Sequence, residues 1–209
     1  MRVDSPGRAV PRRGLLALLL FITLALVALP ACRSAGPPKT LYVLGDPSAT
    51  APLSIRQTDL PILEVHRVLV PDYLDSTDIL SRRANQLVPR RGSRWAERLS
   101  VGVMRSLTSA LAARLPRMVV VAAQPFKAPQ WHVFVDVETF EGRPDGRVTL
   151  AASWSIRDGA GTVLLSQRTR IAETVAGRSD SALVAAMTRS IDALAADIAA
   201  AVQSLESAA

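Results

Sequence analysis

Residues 131–175 hold the feature that most restricts the fold: three long runs of alternating apolar and polar residues, placed one after another. In "WHVFVDVETF" the side chains of Val133, Val135 and Val137 fall on one face, and in "RVTLAASWSI" those of Val148, Leu150, Ala152, Trp154 and Ile156 do the same. "TVLLSQRTRIAETV" is the third run. The connectors "EGRPDG" and "DGAG" carry the glycine and aspartate chemistry of tight turns, so the runs predict an antiparallel meander. Such a sheet has one apolar face, and that face needs a cover.

Two segments with helical periodicity can supply it. From Ser93 to Leu115 the residues Trp95, Leu99, Val103, Leu107, Leu111 and Leu115 recur every four positions, with Ser93 as candidate N-cap and Pro116 as the stop. A last helix, capped by Ser179 or Asp180, carries Leu183, Met187, Ile191, Leu194, Ile198, Val202 and Leu205 as one stripe, which faces the sheet or a partner. Upstream, "LYVLG" reads as a strand, and "ILEVHRVLV" (62–70) as a longer one ended by Pro71. "DILSRRANQLVPRR" reads as a polar hairpin turning near Ala84-Asn85, and "MVVVAA" as a short strand expected at the centre of the sheet. The fold class is α/β in the mixed α+β sense: one domain, a mixed and partly antiparallel sheet, and two long helices packed on it.

The N-terminus describes an exported chain. Arg2, Arg8, Arg12 and Arg13 precede an uninterrupted apolar segment, 15–29, followed by Pro30-Ala31-Cys32. A basic n-region, a short h-region and a small residue before a cut site mark a secretory signal, and the apolar segment is shorter than the roughly 20 residues a spanning helix needs. "LPAC" resembles a bacterial lipobox, with Pro30 in place of the usual small residue. Cys32 is the only cysteine, so it has no disulfide partner in the chain, and a lone exported thiol would be a liability. A lipid explains it: a thioether-linked diacylglycerol plus an N-acyl chain on the freed amine, two or more chains being what stable anchoring takes. The expected organisation is a signal peptide at 1–31, a lipidated tether at 32–40 and the folded domain at 41–206. Eight tether residues reach about 26 Å at most, which keeps the domain near its membrane.

The whole chain has a formal charge of +7; residues 1–31 contain four arginines and one aspartate, so the remainder carries +4. The remaining 178 residues suffice for a core without a metal or disulfide staple. His66 and His132 fall in predicted strands with no acid or cysteine at metal-ligand spacing, and read as structural residues. No nucleophile elbow, phosphate-cradling glycine loop or zincin motif occurs, and Asp136 with Glu138 reads as the exposed acids of a half-buried strand. No enzyme, catalytic group, cofactor or metal is expected. Seven arginines (82, 83, 90, 91, 94, 98 and 105) crowd 24 residues in which Glu97 is the only acid. An exported chain does not meet nucleic acid, so these form either a solvated basic face or a surface for anionic headgroups or an acidic protein. Arg90, Arg91, Arg94 and Arg98 are the candidate contacts, joined by Tyr73 and Trp95, large amphipathic side chains beside polar loops.

Several segments carry a resemblance. "LYVLG", "VLVPDYLDSTDILSRRANQ" (68–86), "RWAERLSVGVMRSL" (94–107), "VDVETFEGRPDGRVTLAASWSIRD" and "LVAAMTRSIDALAADIA" resemble, in order, the ABC-type transport auxiliary lipoprotein family of PqiC/YmbA-like proteins. Arg98 stands where that family usually has a proline. The resemblance implies a mixed α/β domain in a Gram-negative envelope lipoprotein. Its implied partners are an MCE (mammalian-cell-entry) protein with its ABC permease and ATPase, in a system moving phospholipid or other hydrophobic molecules between membranes. Arg33 rather than Asp after the anchor cysteine favours outer-membrane delivery, with the domain in the periplasm. The expected role is non-enzymatic docking; the other reading is a stand-alone lipoprotein with its own small ligand or a hydrolase activity. Self-association into a homo-oligomer is left open.

Overall fold

The computed structural model of the protein describes residues 38–45, 59–122, 125 and 127–208. The signal segment, Cys32 and the tether up to residue 37 lie outside them. The described elements are β1 (Thr40–Tyr42), β2 (Ile62–Val65), β3 (Asp78–Arg83), β4 (Gln86–Trp95), α1 (Leu99–Arg114), β5 (Val119–Val121), β6 (Trp131–Gly142), β7 (Arg147–Asp158), β8 (Val163–Thr174) and α2 (Asp180–Ala208). The mixed α+β architecture and the two helices are as the sequence predicts.

The meander is present: β6, β7 and β8 pair antiparallel in sequence, with Val135 opposite Trp154 and Trp154 opposite Gln167. The alternating apolar residues of β6 and β7 are buried on one face, Val133, Val137 and Ile156 completely, while β8 has no fully buried residue. On its other edge β6 is long enough to serve two neighbours. Its first three residues pair parallel with β2, and its last residue, Gly142, pairs with Ser81 of β3. The sheet thus has eight strands, with β1-β4-β3 attached at one end of β6 and β5-β2 at the other. A register shift between Val137 and Thr139 marks a β-bulge in β6: inward positions run 131, 133, 135 and 137, then continue at Phe140.

The apolar stripes of both helices lie under this sheet. Val103, Leu107 and Leu111 of α1 and Ile191, Leu194, Ile198 and Val202 of α2 are fully buried. The stripe of α2 is therefore core. Ser179 caps it, its Oγ accepting the Ala182 N–H at 3.1 Å. Gly45, closing "LYVLG", sits where only glycine fits: its φ is +76°, and a Cβ would stand 2.7 Å from Ser106 Oγ of α1. Its N–H donates to Thr188 Oγ1 of α2 at 3.2 Å, so this turn meets both helices.

Three local expectations are corrected. The helix begins at Leu99, not at Ser93, because β4 runs on to Trp95, paired with β1 (Thr40 with Ser93, Tyr42 with Trp95) and with β3. Tertiary pairing overrides the four-residue spacing, and Trp95 shares the core with Leu99 from the end of a strand. The short valine strand β5 is an edge, bonded only to β2; α1 covers it, which explains an apolar run where a central strand was expected. The regular ladder of β2 stops at Val65, although the chain follows β6 as far as Leu69, whose N–H donates to Val135 O at 3.0 Å.

Candidate functional site: an arginine-lined groove

The segments 71–77 and 94–100 are joined to each other. Arg98, at the N-cap of α1, gives no side-chain cap. Asp75 does so from afar: its Oδ1 accepts the Ser100 N–H at 3.0 Å, and its Oδ2 lies 2.9 Å from Arg98 Nη2. Burial pushes the Asp75 carboxyl up, but the Ser100 hydrogen bonds and the Arg98 charge outweigh it, and the carboxyl is held below the ordinary aspartate value. Ser76 O accepts from Leu99 N–H, and Thr77 O from Trp95 N–H at 2.8 Å.

The arginines of 82–105 divide. Arg94 bonds Thr77 Oγ1 and lies 3.9 Å from Asp78, Arg98 pairs with Asp75, and Arg105 donates to Glu97 and to Leu44 O at 2.9 Å. Arg94 is on a strand, so it is not a helical neighbour of Arg98 and Arg105. Arg82 is ion-paired with Glu141, a carboxylate with no exposed surface. That hydrogen bond raises the Arg82 pKa further above the ordinary arginine value.

Among the described residues, no acid is paired with Arg83 or Arg91. They sit on the β3–β4 hairpin, beside a cavity of ≈ 710 Å³ also lined by Arg82, Arg90, Arg143, Arg147 and Arg178. Two further loops bring the last three there. In the β6–β7 turn the Arg143 N–H donates to Arg147 O at 2.7 Å, with Gly146 at φ +77° between them. Val175, following β8, donates to Gly146 O at 2.9 Å and so holds the segment carrying Arg178 beside that turn. Asp180 is the only acid among the described residues lining the cavity; it pairs with Arg90, accepts from Ser93 Oγ and lies in the first turn of α2, where its charge suits the helix dipole. Arg83, Arg91, Arg143, Arg147 and Arg178 remain exposed guanidinium groups without an ion pair among the described residues. Planar, permanently charged donors of this kind suit phosphate or carboxylate oxygens.

Of the residues singled out from the sequence, Arg90 and Arg91 line the groove, while Arg94 and Arg98 are held elsewhere by acids. Tyr73 is 47% exposed; its hydroxyl donates to Glu138 O at 3.3 Å and its ring lies 6.0 Å from the Arg82 guanidinium. Trp95 is 4% exposed, which makes it core and removes it from the surface contacts. Glu138, one of the two acids weighed as a pair, is bound to Arg168 and to Ser153 Oγ instead. The sequence reading missed Arg143, Arg147 and Arg178. The signal was present in "GRPDGR", which puts arginines on both sides of a meander turn. His66 and His132, read as lacking an acid nearby, come together with Glu64: His132 Nδ1 lies 2.9 Å from Glu64 Oε2.

A mixed sheet with two covering helices and a cationic concavity at one end defines a protein of mixed α+β class. The family described as ABC-type transport auxiliary lipoprotein component matches residues 42–199, and the chain belongs to that family. The intermembrane transport lipoprotein PqiC of Escherichia coli (strain K12) is 30% identical over 134 residues, 64% of this chain and 71% of the relative. PqiC of Shigella flexneri matches to the same extent. The fold is shared with a crystal structure of an uncharacterised protein, at TM-score 0.67 and 24% identity, covering 79% of this chain and 99% of that one. It is also shared with a Xanthomonas campestris protein, at TM-score 0.58 and 18% identity, covering 78% and 90%. The protein is thus a transport auxiliary lipoprotein. No helix among the described residues is long and apolar enough to cross a membrane.

Proposed function

We propose that the protein is held in the outer membrane by acyl chains on Cys32 and acts in the periplasm as a non-enzymatic docking component for an MCE-type ABC transport system. The cargo of that system is phospholipid or another hydrophobic molecule. Family membership supports the system, as does the intermembrane transport role in the name of PqiC. The signal and lipobox pattern at 1–32 supports the anchor.

The observation that carries the docking role is the groove: five arginines with no ion pair among the described residues, brought from three separate loops to one end of the sheet. Like charges so gathered repel one another, which a purely structural surface gains nothing from. An anionic headgroup entering the groove relieves that repulsion, at on the order of 1 kcal/mol per arginine near a membrane surface, fading beyond about 8 Å at physiological salt. The tether is short enough to let the groove meet the membrane of its own anchor. A chain starting at Lys39, which includes every described element, should bind phosphatidylglycerol vesicles better than phosphatidylcholine vesicles at low salt. It should lose the preference at high salt. Equal binding to both would turn the groove over to an acidic protein partner. For the anchor, Cys32→Ser should leave an uncleaved or soluble chain in membrane fractionation; normal maturation and outer-membrane fractionation would reject the lipid.

A further inference from the structure

The open face of the sheet, away from the helices and from the groove, carries a second cluster of chemistry. Glu64 of β2 and His132 of β6 are register partners, and His66 follows Glu64 by two residues. Strand alternation therefore sends all three side chains to the face opposite the buried Leu63, Val65 and Val133. Their tips converge. His132 Nδ1 lies 2.9 Å from Glu64 Oε2, His66 Nε2 lies 3.3 Å from the same oxygen, and the two nitrogens are 3.2 Å apart.

Hydrogen bonding alone serves this triangle poorly. Each residue contributes one atom to two of its edges, and a proton on that atom can lie along only one of them. If both imidazoles donate to Glu64, their N–H groups are driven against each other at 3.2 Å. The Glu64 side chain is 16% exposed, and among the described residues no lysine or arginine is paired with it. A small cation inside the triangle removes both difficulties, since it takes one lone pair from each atom. The spacing suits it as well: ligands at about 2.0–2.1 Å in a tetrahedron stand roughly 3.3–3.4 Å apart.

We propose that Glu64, His66 and His132 bind one divalent transition-metal ion of the zinc class, as two imidazoles and a carboxylate with a fourth position open to solvent. Nitrogen and carboxylate donors in this number suit zinc better than the all-oxygen shells of calcium or magnesium. The support around the site is rigid. His66 stacks on Phe134 with centroids 4.2 Å apart and planes at 18°, and its backbone N–H donates to Val133 O at 2.9 Å. The Arg157 guanidinium covers the Phe134 ring at 4.4 Å, and Arg157 is the register partner of His132 on β7. The site rests on neither the groove nor the transport role.

The test uses the full chain extracted in detergent from membranes, without a polyhistidine tag and stripped with EDTA, titrated calorimetrically with zinc chloride near pH 7.5. One equivalent should bind saturably and raise the melting temperature. His132→Ala, Glu64→Gln and His66→Ala should each weaken binding tenfold or more and abolish the thermal shift. His66 is the most exposed of the three, at 38% of its side chain, so His66→Ala keeps the fold and decides the matter if another variant does not. Absence of saturable binding, or binding that a folded variant weakens less than tenfold, overturns the site.

Discussion

Arg94, Arg98 and Arg105 occupy the junction between β4 and α1, while Arg83 and Arg91 occupy the hairpin that leads into it. The first group faces acids from neighbouring segments: Asp78, Asp75 and Glu97. The second faces none and is joined by Arg143, Arg147 and Arg178 across the groove. Along the sequence these arginines form one basic run; in space one group closes a joint and the other leaves a field. A surface potential follows from which charges stay unpaired, and the density of arginines in a segment does not reveal that.

Arg82 breaks the comparison most sharply, because it lines the groove yet belongs to the paired class. Removing it strands Glu141, a carboxylate with no exposed surface. Arg82→Ala should therefore cost about 3–5 kcal/mol in chemical denaturation, the usual cost of breaking a buried pair. A loss within about 1 kcal/mol would show that Glu141 finds water or another donor.

Asp75→Ala comes next, at about 2 kcal/mol, most of it from the lost cap on α1. The ion pair adds little, since Arg98 is 65% exposed and exposed pairs are worth about 0–1 kcal/mol. Arg98→Gln should accordingly cost less than Asp75→Ala. The same carboxyl gives a pH signature. It is more acidic folded than unfolded, so on acidification the unfolded chain takes up the proton first and stability falls. The contribution of Asp75 is complete above the unfolded aspartate pKa, about 3.9, and is lost as the pH drops through the depressed folded value. Melting curves of the wild type and Asp75→Asn should converge below that range. A gap that stays constant in acid would assign the cap to another group.

The smallest effect on stability belongs to the groove. Arg91→Gln combined with Arg178→Gln should change stability by about 0.5 kcal/mol or less, as exposed substitutions do, while reducing the preference for anionic vesicles. Replacing the set read from the sequence, Arg90, Arg91, Arg94 and Arg98, is a poorer experiment, since three of the four hold ion pairs and melting would fall with binding.

What the sequence conveyed follows from range. The meander, its turns and both helix stripes repeat within one element, and their local periodicity survives in the structure. The start of α1 at Leu99 depends on β4 pairing with β1, more than 50 residues away, and no local pattern records that pairing. The groove shows the same division. Arg83 and Arg91 stand out because they are close in sequence, while Arg178 joins them through long-range bonds on either side of it, from Val175 to Gly146 and from Asp180 to Arg90 and Ser93. Glu64 and His66 are adjacent enough to notice, but His132 reaches them through parallel pairing across 66 residues.

The bulge after Val137 resets the parity of β6. Up to Val137 the odd-numbered residues face the helices; from Phe140 onward the even-numbered ones do. Were the same residues to alternate strictly with no bulge, Glu141 would be turned into the helix-covered interior, away from Arg82, and Phe140 would be turned out to solvent. A single strand can therefore present His132 and Glu141, separated by an odd number of residues, on the same open face. Deleting one residue from the regular part of β6, with the bulge kept, would invert every side chain downstream of it relative to those upstream. In this strand the count of residues is as much a specification as their identity.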